Sequence, residues 1–245
     1  LNNGINGDDT LFTRREQTTM WTPHVNYPVS DRAREVYGGR NFNGYGLGWG
    51  TTEYHGKQMV SHTGGYDGMY SAVTMLPTEK IGVVILTNTM DGIGTLLSYE
   101  IIDRLLGLPQ QDWKNRGINQ DKGHWADRAA RIKERTDARI MGTKPSMDVV
   151  AISGLYRCPL FGDIRILEEN GKLTIDFVHS PQLKARLSHW HNDTYQLEWV
   201  EEQAWFEFGT VQIQMNNSGK PSGLLFDVPN DDIFFEEIKA VRVTP

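Results

Sequence analysis

The chain has 245 residues, 38% of them hydrophobic, and a formal net charge of −6 at pH 7. This length predicts one or two domains, and the hydrophobic content excludes disorder as the default state. The single cysteine, Cys158, excludes an internal disulfide framework and a multi-cysteine metal site. No apolar run approaches the ~20 residues that a membrane span needs, and no secretory signal is recognisable at the start of the chain.

Charge is divided unevenly along the chain. Residues 1–148 hold 17 Lys and Arg against 17 Asp and Glu, whereas residues 149–245 hold 8 against 14. This change predicts a domain boundary near residue 148. The acidic second half argues against a nucleic-acid partner, because phosphate contacts need clustered Lys and Arg.

The first 107 residues have the pattern of an antiparallel sheet with a covering helix, which is an α+β arrangement. Residues 1–10 are rich in Asn, Gly and Asp and predict a loop. The capping-box pair Thr13 and Glu16 predicts a short helix over 13–21. Leucine and isoleucine at helical spacing predict the covering helix over 96–106. Four strands are predicted between the two helices, at 45–50, 57–63, 69–76 and 80–87.

Two of these strands have additional features. Residues 45–50 alternate large side chains with glycine, which predicts a strand with a glycine face against which another segment packs closely. Residues 81–86 are almost wholly apolar, which predicts a strand that is buried on both faces.

The second part of the chain follows a polar stretch. Residues 109–147 predict a linker that contains a solvated helix at 125–141. From residue 149, short alternating segments with regular turns predict eight or nine strands in a closed antiparallel barrel or a sandwich. The predicted strands are 154–158, 163–168, 172–178, 183–190, 194–200, 204–208, 210–216, 222–228 and 233–238.

The stretch with the most chemical content is residues 58–68. Ser61, His62 and Thr63 stand there beside glycines that allow a ligand or another backbone to come close. Acyl transfer needs a nucleophile, a base and N–H groups that donate to the oxyanion. The Gly65 N–H could be such a donor, Thr63 could bond a substrate carbonyl or carboxylate, and His62 could move a proton or bind an anion.

Plainer interpretations of this stretch stay open. It is also compatible with an ordinary tight hairpin. Ser61 lacks the Gly-x-Ser-x-Gly elbow of the α/β-hydrolases, which argues against it as a nucleophile. His55, His62 and Asp67 could contribute to a metal site, although their spacing matches no standard signature.

An ordered set of segments in residues 45–88 resembles the C-terminal half of the serine β-lactamase and penicillin-binding-protein family. The matching branch contains class C β-lactamases, D-alanyl-D-alanine peptidases and esterases. The segments are the strand YGLGW, the edge HTGG, an apolar hairpin that ends in TN, and the helix that follows. MWTPH at 20–24 also matches, so the resemblance covers about residues 1–107. The HTG triplet alone is unspecific, whereas the ordered set is specific.

The resemblance implies a role for each residue of the edge. In this family the third active-site motif is Lys-Thr-Gly or His-Thr-Gly. His62 then occupies the Lys or His position, Thr63 supplies a substrate-facing hydroxyl, and Gly64 leaves room for substrate. The Gly65 N–H becomes one of two oxyanion-hole donors, and Tyr66 and Asp67 lie beside the substrate cleft. No cofactor and no metal are implied.

Two other motifs of the family are absent from these 245 residues. No serine has Lys three positions later, and no tyrosine or serine has Asn two positions later. We therefore expect the C-terminal portion of a larger serine hydrolase, inactive alone because it lacks the nucleophile, the general base and the other oxyanion donor. The sheet surface near Tyr45, Leu47, Trp49 and 81–86 should then be uncovered. Such a chain is expected to self-associate or to pair with the missing N-terminal half.

The second part of the chain also resembles a known module. The segments GLYR, GDIRILEENGKLTIDF and LSHWHNDTYQLEW are similar to a lipocalin-like module of unknown function that is appended to β-lactamase-related proteins. Six aromatic residues could line a ligand cavity or form the barrel core. These residues are Trp190, Trp199, Trp205, Phe206, Phe208 and Phe226. Cys158 has no visible catalytic partner and is interpreted as inert.

The sequence therefore predicts three parts. Residues 1–108 form part of a β-lactamase-like domain, 109–147 a helical linker and 148–245 a lipocalin-like barrel. The predicted substrate is a small molecule or a peptide, and a β-lactam, a peptide and an ester stay open. The alternative is a non-catalytic ligand-binding or oligomerisation module. The resemblance implies a periplasmic or secreted location.

Overall fold

The computed structural model describes residues 1–66, 68–90, 92–203, 205–231 and 233–243. The chain separates into two compact units, Leu1–Gly123 and His124–Pro245. In the described part of the chain, no helix combines the length and the apolar character that crossing a membrane requires.

Three of the helices begin at a side-chain cap, which is Thr13, Ser30 or Asp148. Thr13 and Glu16 form the predicted capping box, in which Glu16 Oε2 accepts from the Thr13 N–H at 2.6 Å. In place of the predicted helix 125–141, the helix runs from Trp113 to Asp137, so it begins and ends earlier than predicted. At its start the Asp112 carboxylate accepts from the Asn115 N–H at 3.1 Å. The described α-helices are α1 Arg14–Trp21, α2 Asp31–Val36, α3 Ile93–Leu106, α4 Trp113–Asp137 and α5 Val149–Ile152.

The first unit contains a six-stranded antiparallel sheet in which neighbours along the chain are neighbours in space. Its strands are β3 Val25–Asn26, β4 Asn43–Tyr45, β5 Gly50–Tyr54, β6 Lys57–Tyr66, β7 Met69–Leu76 and β8 Ile81–Thr87. The predicted loop 1–10 contains a separate hairpin of β1 Ile5–Asn6 and β2 Asp9–Thr10. The sheet is therefore larger than the predicted four-stranded meander.

The predicted strand 45–50 is wrong, because residues 46–49 are the hairpin loop between β4 and β5. The Gly46 N–H donates to the Trp49 carbonyl at 2.7 Å and closes this loop. The expected close packing is nevertheless present. A Cβ on Gly46 would lie 2.0 Å from the Met20 carbonyl oxygen, so only glycine fits against the end of α1.

One face of the sheet packs against α3. The core of the unit consists of Tyr54, Met59, Leu76, Val83, Leu96, Tyr99, Ile102 and Trp113. The prediction that residues 81–86 are buried on both faces is wrong. Val83 is buried, but Val84 is 65% exposed and Leu86 is 79% exposed. Alternate side chains of a strand point to opposite faces, and α3 covers only one face of β8.

A buried carboxylate joins α3 to α4 and to β5. Asp103 is fully buried and accepts hydrogen bonds from the Tyr54 hydroxyl and, at 2.7 Å, from Trp113 Nε1. Arg40 Nη2 donates to the Tyr99 hydroxyl at 3.1 Å in the same cluster. Burial, reinforced by the Asp103 carboxylate, raises the pKa of Tyr54. The hydroxyl of Tyr54 therefore stays protonated and donates to Asp103.

The second unit contains a closed barrel of eight antiparallel strands, as predicted. The strands are β9 Gly154–Cys158, β10 Gly162–Glu169, β11 Lys172–Phe177, β12 Lys184–His191, β13 Thr194–Trp199, β14 Thr210–Met215, β15 Pro221–Asp227 and β16 Ala240–Arg242. Neighbours along the chain pair with each other, and β16 pairs with β9 to close the barrel. This is the up-and-down order that lipocalins also have.

Two predicted strands of the second unit are wrong. The described residues of 204–208 are irregular, and Ala204 lies outside the described residues. Residues 233–238 contain a 3₁₀ helix, Phe235–Glu237, and the last strand follows it. In both segments aromatic side chains such as Phe206 and Phe235 pack into the core without strand pairing. Cys158 is only 2% exposed, which agrees with its interpretation as an inert thiol.

Candidate active site

The candidate site is the end of β6, where the strand loses one of its two neighbours. β6 pairs with β7 from Val60 to Tyr66. On its other side, pairing with β5 ends at Ser61. From His62 onward one edge of β6 therefore has no strand partner among the described residues. An open edge of this kind presents backbone N–H and C=O groups to a ligand.

The Gly65 N–H faces this open edge. The Gly64 carbonyl accepts from Ser71 Oγ of β7 at 3.3 Å, so the polar backbone groups of Gly64 point toward β7. The polar backbone groups of successive residues in a strand point to opposite sides. The N–H of Gly65 is thus directed to the side where β5 has ended. It can donate to a substrate oxygen, as the sequence predicts for an oxyanion donor.

The register divides the predicted site residues between the two faces of the sheet. His62, Gly64 and Tyr66 lie opposite Val73, Ser71 and Met69 of β7. Directly opposite residues share a face, so these three side-chain positions lie on the face that α3 leaves uncovered. Thr63 lies opposite Ala72 and belongs to the other face. The structure brings His62 and Thr63 together only at the edge, where both are exposed.

Ser61 and His62 are not arranged as a nucleophile and its base. Ser61 pairs with Thr74 and His62 with Val73, so their side chains leave β6 on opposite faces. The alternation of the strand therefore supports the interpretation that Ser61 is not the nucleophile. The structure adds nothing to the metal alternative: among the described residues no group of three His, Cys, Asp or Glu could hold a metal ion, and Asp67 lies outside them.

His62 has a partner that the sequence reasoning did not assign. The hydroxyl of Tyr45 lies 2.9 Å from His62 Nε2, with the ring centroids 6.1 Å apart. Tyr45 is the last residue of β4, and the close packing of Gly46 on α1 fixes the backbone beside it. A tyrosine hydroxyl can donate to Nε2 or accept from it. Which of the two occurs depends on which ring nitrogen of His62 carries the proton.

Gly64 is a residue that the fold itself does not require. A Cβ at this position would meet Ser71 Oγ at 3.4 Å, which is ordinary contact. The added methyl group would lie on the same face as His62 and Tyr66. The packing of the sheet therefore does not explain the glycine at this position. That Gly64 leaves room for substrate stays a prediction.

Comparison with known families assigns the first unit. A family model described as "Beta-lactamase" matches residues 18–105. Residues 18–105 are therefore similar to the β-lactamase family. This β-lactamase-like region contains the complete six-stranded sheet and the open edge of β6.

The barrel matches a second family model, described as "Domain of unknown function (DUF3471)", over residues 138–242. This match includes all eight barrel strands. The predicted combination of a β-lactamase-like region with an appended module of unknown function is confirmed.

Two curated fungal proteins are similar to part of the chain. The unguisins hydrolase ungD of Aspergillus violaceofuscus is 41% identical over 71 residues, which are 28% of this chain and 12% of that protein. The unguisins hydrolase ungD' of Aspergillus campestris is 35% identical over 75 residues, which are 28% of this chain and 14% of that protein. The chain thus matches only a small share of these relatives' length. Their names agree with the relationship to hydrolases.

Among solved structures, the octameric penicillin-binding protein homologue from Pyrococcus abyssi is similar to this chain at 13% identity and a TM-score of 0.37. The similarity covers 96% of this chain and 43% of that one. SurE with D-Leu is similar at 14% identity and a TM-score of 0.31, covering 82% of this chain and 39% of that one. At these TM-scores neither likeness supports a conclusion.

Proposed function

We propose that the open edge of β6 is the oxyanion-binding and substrate-aligning wall of a serine hydrolase site that works through an acyl-enzyme. The observation that carries this proposal is the direction of the Gly65 N–H, toward an edge that β5 leaves unpaired beyond Ser61. The substrate has an amide, ester or β-lactam carbonyl group. The periplasmic or secreted location that the resemblance implies stays a prediction.

Each step assigned to this chain binds substrate or moves a proton. The substrate carbonyl oxygen accepts from the Gly65 N–H, and this bond strengthens as negative charge develops on the oxygen during attack. Thr63 bonds a polar group of the substrate beside the reacting carbonyl. His62, held by Tyr45 at 2.9 Å, is placed to bind an anionic group or to pass a proton at Nε2.

The nucleophile in this proposal is not one of the serines of the 245 residues. None of them stands in Ser-x-x-Lys, and no Tyr-x-Asn or Ser-x-Asn occurs. Attack on the carbonyl, formation of the acyl ester and its hydrolysis therefore depend on groups supplied by another polypeptide segment. We propose that the 245 residues alone are inactive for this reason.

Covalent labelling tests the proposal. A fluorophosphonate or a fluorescent penicillin should leave the 245-residue chain unlabelled and should label the longest gene product that contains these residues. Labelling of the 245-residue chain on one of its own serines would show that the missing-nucleophile part is wrong. A long gene product that stays unlabelled by both probes, while folded, would overturn the enzyme proposal.

A second candidate function is supported by the exposed apolar strip on the uncovered sheet face. Tyr66, Met69, Val84 and Leu86 are more than half exposed, and the strand register places them on the same face as His62. Contiguous exposed apolar surface can mark a binding site for another polypeptide. We propose that this strip, hereafter the sheet strip, mediates self-association or pairing with the segment that supplies the nucleophile.

A further inference from the structure

The second unit has a cavity that is separate from the β6 edge. It has a volume of about 400 Å³ and lies between α4 and the segment that follows β13. Among the described residues it is lined by Trp125, Arg128, Trp199, Glu201, Glu202, Gln203, Phe206 and Glu207. Cavities of this volume accommodate small organic ligands. None of its lining residues belongs to the proposed hydrolase site at the β6 edge.

The cavity has apolar walls made of aromatic rings. The rings of Trp199 and Phe206 are 4.9 Å apart between centroids and form one wall. Trp125 is 55% exposed, with the Arg128 guanidinium 5.3 Å from its ring centroid. A large aromatic side chain that is left exposed beside a cavity is suited to contact with a ligand. These walls would accept an apolar side chain or a cation.

Two N–H groups beside these rings are buried and have no hydrogen-bond partner among the described residues. They are Trp199 Nε1 and Arg128 Nε. The Glu207 carboxylate is 3.7 Å from Arg128 Nε, which is longer than a hydrogen bond. A buried donor without a partner costs free energy. Both nitrogens are closed off from the cavity, so an acceptor oxygen would remove that cost only after the two side chains turn toward it.

The rim of the cavity carries hydrogen-bond acceptors and negative charge. Glu201, Glu202 and Glu207 contribute three carboxylates against the one guanidinium of Arg128. This excess of negative charge favours a cationic group on the ligand. The ligand must therefore combine an ammonium group, an acceptor oxygen and an apolar portion within a few ångströms.

We propose that this cavity binds an amino acid, or the amino-terminal residue of a short peptide. The ammonium group lies against the glutamates of the rim. On binding, the Trp199 and Arg128 side chains turn toward the cavity, and the carbonyl or carboxylate oxygen accepts from Trp199 Nε1 and Arg128 Nε. The ligand's side chain packs between Trp125 and the Trp199–Phe206 wall. The proposal stands independently of the hydrolase activity, because it concerns binding within the second unit alone.

Three small molecules test, with the 245-residue chain, which groups of the ligand are needed for binding. Phenylalanine carries all three groups, 2-phenylethylamine lacks the acceptor and 3-phenylpropanoate lacks the ammonium. Calorimetry should find phenylalanine the best of the three, with at least about tenfold weaker binding of the other two. The indole N–H resonances of Trp125 and Trp199 should shift with phenylalanine.

Variants test the named residues. Trp199→Phe keeps the ring and removes an N–H that bonds nothing in the structure, so it should leave the melting temperature nearly unchanged while weakening phenylalanine binding about tenfold. Glu201→Gln with Glu202→Gln should weaken it similarly, whereas Glu198→Gln, exposed on β13 outside the cavity, should not. Absence of any shift at about 10 mM phenylalanine would overturn the proposal. The proposal would also be overturned if 2-phenylethylamine bound as tightly as phenylalanine. The same holds if the double glutamine variant bound phenylalanine as tightly as the unchanged chain.

Discussion

The Tyr45 hydroxyl and His62 Nε2 lie 2.9 Å apart, although the two residues are 17 positions apart in the chain. The bond joins the end of β4 to the open edge of β6, two strands away in the sheet. It holds the imidazole on the edge where the proposed substrate carbonyl would bind. A residue in the Tyr-Gly-Leu-Gly-Trp segment thereby positions a residue of the His-Thr-Gly segment.

Replacing Tyr45 by Phe should free the His62 ring while leaving the β4–β5 hairpin in place. We expect the ¹⁵N resonances of His62 to change in the 245-residue chain, since the bond to Nε2 is lost. In the longer gene product that the covalent probes label, we expect kcat/KM to fall about tenfold and its pH profile to shift. Tyr27→Phe is the matched control, because Tyr27 is 49% exposed and lies outside the proposed site. Unchanged His62 resonances in Tyr45→Phe would contradict the positioning role.

Gly65→Pro tests the oxyanion donor directly. Proline removes the N–H, and proline is tolerated on an unpaired strand edge. We expect acylation of the active gene product to slow about 100-fold, as for other single oxyanion donors. Gly65→Ala keeps the N–H and should slow it far less. If the alanine and proline variants lose the same activity in burst kinetics, the N–H is not the group that matters.

Polar substitution of the sheet strip should weaken association. Val84→Gln with Leu86→Gln removes two exposed apolar side chains, and sedimentation velocity should show less self-association, or less binding to the nucleophile-bearing segment. Val25→Gln with Leu105→Gln changes the same residue types at other exposed positions and should have little effect. A wild-type chain that stays monomeric at about 100 µM and binds no such segment would argue against this function.

Asp103 should be essential for the stability of the first unit. Asp103→Ala leaves the Tyr54 hydroxyl and the Trp113 N–H buried without an acceptor, so we expect a loss of about 2–4 kcal/mol in urea unfolding. Asp103→Asn retains one acceptor oxygen and should lose less. Asp8→Ala, on an exposed turn, should change stability by under about 0.5 kcal/mol. A loss in Asp103→Ala no larger than that of the control would show that the cluster is dispensable.

The second unit should lose stability at alkaline pH through Tyr195. Burial, and to a smaller extent the Asp193 carboxylate, raises the pKa of Tyr195 to about 12 from an ordinary value of 10.0. The folded state thus favours the neutral phenol, so its contribution is complete below pH ~10 and is lost as the pH rises through about 12. Urea unfolding at several pH values should show this loss, and Tyr195→Phe should reduce it. An equal slope in both proteins would rule Tyr195 out as the cause.

The sequence was sufficient to predict the strand that carries the candidate edge and the two strands that follow it, but not β5 on its other side. β6, β7 and β8 have continuous apolar or alternating patterns, and polar or glycine-containing turns separate them. Residues 45–50 failed because alternating glycine and aromatic residues fit a tight hairpin as well as a strand. Residues 204–208 failed because Phe206 is buried by packing rather than by strand pairing.

Exposure and long-range contacts were the least predictable features. An apolar run specifies the strand of residues 81–86, but only the position of α3 decides that Val83 is covered and Leu86 is not. The partnership of Tyr45 with His62 depends on the register of two strand pairs, which neither segment encodes alone. The cavity beside Trp199 likewise requires α4 and a loop that are distant in sequence.

The burial of Cys158 has a practical consequence for spectroscopy. It is the only thiol in the chain and is 2% exposed, so maleimides and methanethiosulfonates will react with it slowly. A cysteine introduced at position 66 would then be the one rapidly labelled site. A spin label or fluorophore placed there would report directly when a ligand or another chain occupies the open edge.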